Sequence, residues 1–286
     1  MSMVFLIITS ISSMVLQNCL FNHTCKLSLK TNAHINIFNV TVYSVCVLIF
    51  VFLLMSESVS VFTLLLGLLF GVITALSNSY KMLALSSGPM NITLLVTTSS
   101  MIIPTMSGVF FGEAFSIAKL CVVFVLIGFI YMTIKRNEND TAKINKAWLL
   151  YCALAFLFQG TVGVLQKIHQ NTEYKNEVSG FLFVAFICAI VFSLLRNRGC
   201  GKNVRLGKKT VIIGLICGAC TFCMNYINLK LSGLLPSQLF FPIVNGSAII
   251  ISLLMSVLLF KEKLTRRQTV GLCGGILSLI AICIVK

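Results

Sequence analysis

The feature that most restricts this chain is a succession of long apolar runs separated only by short polar breaks. A bilayer-crossing helix needs roughly 20 predominantly apolar residues, and runs of that kind occupy most of the 286 positions. Hydrophobic residues make up 58% of the chain and charged residues 10%, with a mean hydropathy of +1.00, which leaves too little polar surface to coat soluble domains of this size. A soluble enzyme is thereby excluded, and an all-α polytopic membrane protein is expected.

Setting the runs against the breaks predicts ten transmembrane helices, at about 3–20, 36–55, 61–84, 90–110, 116–134, 147–167, 179–196, 210–231, 237–260 and 268–285. Breakers fall between them, as Ser86-Ser87-Gly88-Pro89, as Arg198-Gly199-Cys200-Gly201, and as Ser232-Gly233 followed by Pro236. The first run has no basic leader or small-residue cleavage site and is read as a retained span.

The net charge of +15 comes from 22 Lys and Arg against 7 acids, and the basic runs at 135–146, 196–209 and 261–267 lie between apolar segments. Such punctuation suits loops facing anionic lipid headgroups; no separate basic domain interleaved with aromatics exists to bind nucleic acid. The loops after the first, third, fifth, seventh and ninth runs hold most of the basic residues, so the positive-inside rule predicts that both termini lie outside. The twelve Cys are scattered, mostly within apolar runs, and imply no disulfide framework.

Comparing the chain with itself exposes a repeat. Gly67 and Gly71 recur as Gly214 and Gly218, Asn78 as Asn225, Pro89 as Pro236, Asn91 as Gln238 and Thr98 as Asn245, each displaced by 147 (214 − 67, 236 − 89). Toward the ends the displacement becomes 149 (166 − 17, 262 − 113): Val15-Leu16-Gln17 matches Val164-Leu165-Gln166, and Glu113 matches Glu262. Ordered agreement of glycines, a proline, amides and a helix-end acid marks two copies of one template, at 1–137 and 145–286. Five spans per copy is an odd number, so the second copy begins on the opposite face and the two form an inverted repeat, an architecture suited to alternating access.

The same residues carry a family resemblance. The stretches Asn78 to Pro89 and Asn225 to Pro236, the acids Glu113 and Glu262, and the closing Lys261-Glu262-Lys263-Leu264-Thr265 with Gln268, Gly271 and Gly275 resemble the drug/metabolite transporter superfamily in its EamA-like branch. The resemblance covers nearly the whole chain and is most specific in the tail of the second half. It implies a ten-helix permease for a small metabolite or drug. Its cavity would be built mainly by the third, fourth, eighth and ninth spans with the first and sixth. It also implies cytoplasmic termini, against the charge count.

Polar side chains within the runs predict the lining, because an amide or ammonium in hydrocarbon is costly unless paired or facing a wet cavity. Asn78 and Lys81 lie three apart and share one helix face, as do their counterparts Asn225 and Asn228. Asn91 and Thr98 lie two turns apart, as do Gln238 and Asn245. These eight are the expected substrate-binding residues; interhelical hydrogen bonding is the competing role for each. Lys81, Lys167 and Lys230 lie near run ends, where snorkelling to the interface is expected. No acid lies deep within a run, which argues against a proton-coupled carrier of lipophilic cations and for a neutral, zwitterionic or anionic solute. Glu113 and Glu262 are read as loop-organising residues, and Pro104 and Pro242 as sites of kinking.

Cys217, Cys220 and Cys223 diverge around a helix and are not read as metal ligands, and His23, His34 and His169 are expected at the interface. The sequence therefore predicts a multi-pass cell-membrane carrier without catalytic residues, metal or cofactor. Its partners are a small-molecule substrate and the lipid bilayer, with no nucleic acid; a homodimer is compatible with this reading. A membrane-embedded enzyme, such as a lipid-modifying transferase, or a channel are the alternatives.

Overall fold

The computed structural model describes residues 2–27, 29, 31–54, 59–88, 90–114, 116–133, 146–198, 205–260 and 265–285, excluding the side chains of 22, 26, 27, 90–92, 253 and 255–260. The described residues are helical, without strands: α1 (Met3–Leu27), α2 (Asn32–Leu54), α3 (Val61–Ser87), α4 (Met90–Ser99), α5 (Ile102–Ser107) continued by a 3-10 turn (Gly108–Phe111), α6 (Ile117–Thr133), α7 (Lys146–Gln170), α8 (Val178–Arg198), α9 (Lys208–Leu234), α10 (Ser237–Phe260) and α11 (Arg266–Ile284). Among the described residues eight segments are long and apolar enough to cross a membrane, and Ile117–Thr133 and Ser237–Ser252 are apolar but shorter. The fourth expected span is broken: α4 ends at Ser99 and α5 starts again at Ile102, where Pro104, which has no N–H, could not donate to the Ser100 carbonyl of a continuous helix. Pro242, by contrast, lies inside a continuous α10.

Local chemistry explains several boundaries. The Ser60 side chain accepts from Thr63 N–H at 3.2 Å and caps α3. Thr265 and Gln268 form a capping box at the start of α11. Gly112, with φ of 71°, ends the 3-10 turn in the left-handed region that glycine enters without a Cβ penalty.

In a bilayer, lipid tails are as apolar as leucine, so helices associate through close packing and small residues mark the contacts. α3 packs along α7 and α8, and α9 along α1 and α2. α2 meets α8, α6 meets α11, α5 meets α10, α4 and α5 lie against α7, and α10 against α1. Exchanging α1, α2, α3, α4–α5 and α6 with α7, α8, α9, α10 and α11 carries each of these pairings onto another or onto itself. The glycines show the same relation at residue level. A Cβ on Gly71 would overlap the Ala185 carbonyl and lie 2.9 Å from Cys188 Cβ; one on Gly218 would lie 2.7 Å from the Val42 oxygen and 2.6 Å from Val45 Cβ. Ala185 and Cys188 stand 143 positions beyond Val42 and Val45 (185 − 42, 188 − 45). Gly67 similarly faces Phe181 and Val184, and Gly214 faces Phe38 and Thr41.

Two apolar clusters flank the middle of the bundle. Phe38, Tyr43 and Phe50 of α2 pack with Phe70 of α3 and with Phe181 and Phe186 of α8, while Ile11, Leu126, Phe240, Phe241 and Ile282 join α1, α6, α10 and α11.

Candidate functional site

Between these clusters α1, α3, α4–α5, α7, α9 and α10 enclose a cavity with an empty volume of about 720 Å³, open solvent included. Its polar lining comes from both halves: Asn78 and Lys81 on α3, Asn225 and Asn228 on α9, and Asn245 on α10, together with Gln17 and Asn18 on α1 and Gln159 and Gln166 on α7. A helix carries its i and i+3 side chains on one face, which is why both α3 residues and both α9 residues reach the same space.

Most of these amides are held by a neighbour. Asn78 Nδ2 donates to the Tyr43 hydroxyl at 2.8 Å, and Lys81 Nζ to Asn18 Oδ1 at 2.9 Å. Ser77 Oγ donates to Gln159 Oε1 at 2.8 Å. Asn225 and Asn245 donate back to the Thr221 and Phe241 carbonyls, each at 2.9 Å, and Asn228 accepts from the Ser10 hydroxyl.

Of the expected lining residues whose side chains are described, two, Gln238 and Thr98, are not among those bounding the cavity. Gln238 is buried and grips the start of α6: its Oε1 accepts from Ser116 N–H at 3.0 Å and its Nε2 donates to the Ser116 carbonyl at 3.3 Å. Thr98 lies half-buried at the end of α4, where its carbonyl accepts from Met101 N–H at 3.1 Å as the helix breaks. The Asn91 side chain lies outside the described residues. Conversely, Asn18, Gln159 and the pair Gln17 and Gln166 were missing from the expected set. The signal was present: Gln17 and Gln166 occupy matching positions in the repeat, and Gln159 lies two turns before Gln166.

An ion pair ties α7 to the segment that follows the 3-10 turn. The Lys167 ammonium on α7 meets the Glu113 carboxylate, with side chains only 5% and 16% exposed, and it also donates to the Ser232 and Leu235 carbonyls at 2.7 and 3.1 Å. Glu113 accepts from Ser237 N–H at 2.6 Å. An acid thus sits at the N-terminus of α10 and a cation at the C-terminus of α9, both favourable to the helix dipoles. Lys167 is therefore no snorkelling residue, and Glu113 organises the connector that follows the 3-10 turn. Lys230 instead lies over the Tyr226 ring at 4.2 Å. His169, expected at the interface, is fully buried and stacked on Phe181 at 4.4 Å. Glu262 lies outside the described residues.

Outside the spans, Glu177 joins the α7–α8 connector to the cap of α3, accepting from Ser60 N–H at 2.9 Å and from its hydroxyl at 2.8 Å. Burial pushes the Glu177 carboxyl up, but hydrogen bonds from Thr63 and Ser60 and the nearby His169 outweigh it and hold it below its ordinary range. Among the described residues no group of three or more His, Cys, Asp or Glu could hold a metal ion.

Comparison with known proteins agrees with this architecture. No curated protein matches the sequence. Among solved structures 28 chains match. One, a protein crystal structure, superposes with a TM-score of 0.74 over 98% of each chain at 10% identity, a likeness of fold alone. Residues 146–284 match the model of the EamA-like transporter family. The match spans α7 to α11, and the family it is similar to belongs to the drug/metabolite transporter superfamily.

Proposed function

We propose that the protein is a secondary transporter that moves a small metabolite or drug by alternating access, its two five-helix halves forming an inverted repeat around the polar cavity. The observation that carries this reading is the reciprocal packing of Gly71 on Ala185 and Gly218 on Val42. In both contacts the paired positions rise together, Gly67 with Phe181 and Gly71 with Ala185, so α3 and α8 run in the same direction. Consecutive spans alternate in direction. That the third span of one half and the second span of the other run alike supports a reading in which one half is upside down.

Near-equivalent halves can exchange packings, which is what opening a central site first to one face and then to the other requires. The halves differ in detail, as one conformer of such a cycle demands: Gln17 of α1 donates to Thr221 of α9, whereas the buried hydroxyl of Thr74, the repeat counterpart of Thr221, has no partner. The Lys167–Glu113 pair would act as the gate at the α9–α10 end, binding α7, the α6 connector and both helix ends in the closed state. The cavity amides, Asn78, Asn225, Asn228 and Asn245 among them, with Lys81, would bind solute; Gln238 would serve the bundle by holding α6.

Proteoliposomes loaded with unlabelled solute test the reading. A carrier accumulates external labelled solute transiently by counterflow and saturates, a channel gives unitary currents, and a lipid-modifying enzyme turns over labelled lipid without moving solute.

A further inference from the structure

Lys81 places a cation in the cavity without an anion to match it. Its ammonium donates to the neutral carbonyl of Asn18, and among the described residues no carboxylate comes within ion-pair distance. The rest of the polar lining is carboxamide and hydroxyl. The described acids are engaged elsewhere, Glu113 with Lys167 and Ser237, and Glu177 with Ser60, while Glu173 lies exposed in the α7–α8 connector. Glu57, Glu138, Asp140 and Glu262 lie outside the described residues, in connectors by sequence.

Two comparisons within the molecule separate Lys81 from a packing residue. Its repeat counterpart, Asn228, completes the same helix face with a neutral amide, so the fold template does not require a charge there. Two other lysines within the spans are compensated, Lys167 by a carboxylate and Lys230 by an aromatic face. An ammonium has three donors, and Asn18 takes one. An uncompensated charge away from bulk water is costly to hold and correspondingly strong in attracting an opposite one.

Resting on the carrier reading above, we propose that Lys81 binds an anionic group of the transported solute, so that this protein carries small organic molecules bearing a carboxylate or a phosphate. The carboxamides of α3, α7, α9 and α10 then hydrogen-bond the remainder of the solute.

The test uses the full chain in nanodiscs and matched probes that differ in the anion: succinate against succinamide, leucine against leucinamide, and glycerol 3-phosphate against glycerol. Ligand binding to the folded state raises the melting temperature. At least one acid should stabilise the protein where its uncharged or amidated partner does not, and the stabilising pair separates carboxylate from phosphate. Lys81→Gln should weaken that binding at least tenfold, Lys81→Arg should retain it within a few-fold, and Lys230→Gln should match the wild type. If every acid does no better than its partner, including no stabilisation by any, or if Lys81→Gln binds the acid as the wild type does, the proposal is overturned. The wild-type comparison stands even if Lys81→Gln fails to fold. Counterflow of a solute lacking an anion would keep the carrier reading and remove this one; anion binding at Lys81 without counterflow would do the reverse.

Discussion

Removing the carboxylate from the Lys167–Glu113 pair should bias the protein toward the state open at the α9–α10 end. The substitution is Glu113→Gln, which keeps the shape and an oxygen able to accept from Ser237 N–H but loses the charge facing Lys167. Breaking a buried pair by removing one partner costs about 3–5 kcal/mol. The ammonium keeps the Ser232 and Leu235 carbonyls, so the lower end, about 3 kcal/mol, applies. If the pair exists only when that end is closed, the whole loss falls on the closed state and shifts the closed-to-open ratio by up to about 150-fold. A cysteine introduced at Val162, which lines the cavity, reports the shift through its labelling rate by a membrane-impermeant maleimide, read site by site by mass spectrometry. Labelling from the α9–α10 face should rise by about two orders of magnitude, and Glu113→Lys combined with Lys167→Glu should recover part of the loss. Unchanged labelling, or a double-mutant coupling below about 0.5 kcal/mol, comparable to an exposed pair, would refute the gate.

Four further outcomes follow from the packing, the cavity and the Glu177 contact. Asn78→Leu and Asn225→Leu should reduce transport at least tenfold with normal membrane abundance; unimpaired transport removes both from the site. Gly218→Leu drives a side chain into the Val42 carbonyl, a backbone atom that cannot give way, and should abolish monodisperse protein on size-exclusion chromatography. Gly128→Ala, where a Cβ meets nothing within 4 Å, should be neutral or stabilise α6 by up to about 1 kcal/mol. Glu177, with its carboxyl held below the ordinary value of about 4.3, contributes stability that is complete above that value and is lost as pH falls through its lower folded value. The melting temperature should therefore drop on acidification below about pH 4, with a smaller drop in Glu177→Gln; identical acid profiles would contradict the assignment.

Much of the architecture was legible because it depends on near neighbours in the chain. Apolar run length sets where helices cross a bilayer, and the helices occupy the expected runs, except that α1 continues to Leu27 and the fourth run breaks between Ser99 and Ile102. The repeated glycines at 67, 71, 214 and 218 could be picked out without coordinates because a helix–helix contact in lipid leaves a small residue where backbones approach. The faces carrying Asn78 with Lys81 and Asn225 with Asn228 were readable because 3.6 residues make one turn.

What a helix face meets is another matter. An amide satisfies its bonding equally well against solute, a neighbouring helix or a connector, and Gln238 took Ser116, 122 positions away, whereas Gln159 and Gln166 turned to the cavity. Lys167 looked like an interfacial cation until the bundle brought it to Glu113. Periodicity along one helix carries the angle of a side chain about that helix; its partner depends on how far and at what angle distant helices approach, and that is settled by the packing of the whole bundle.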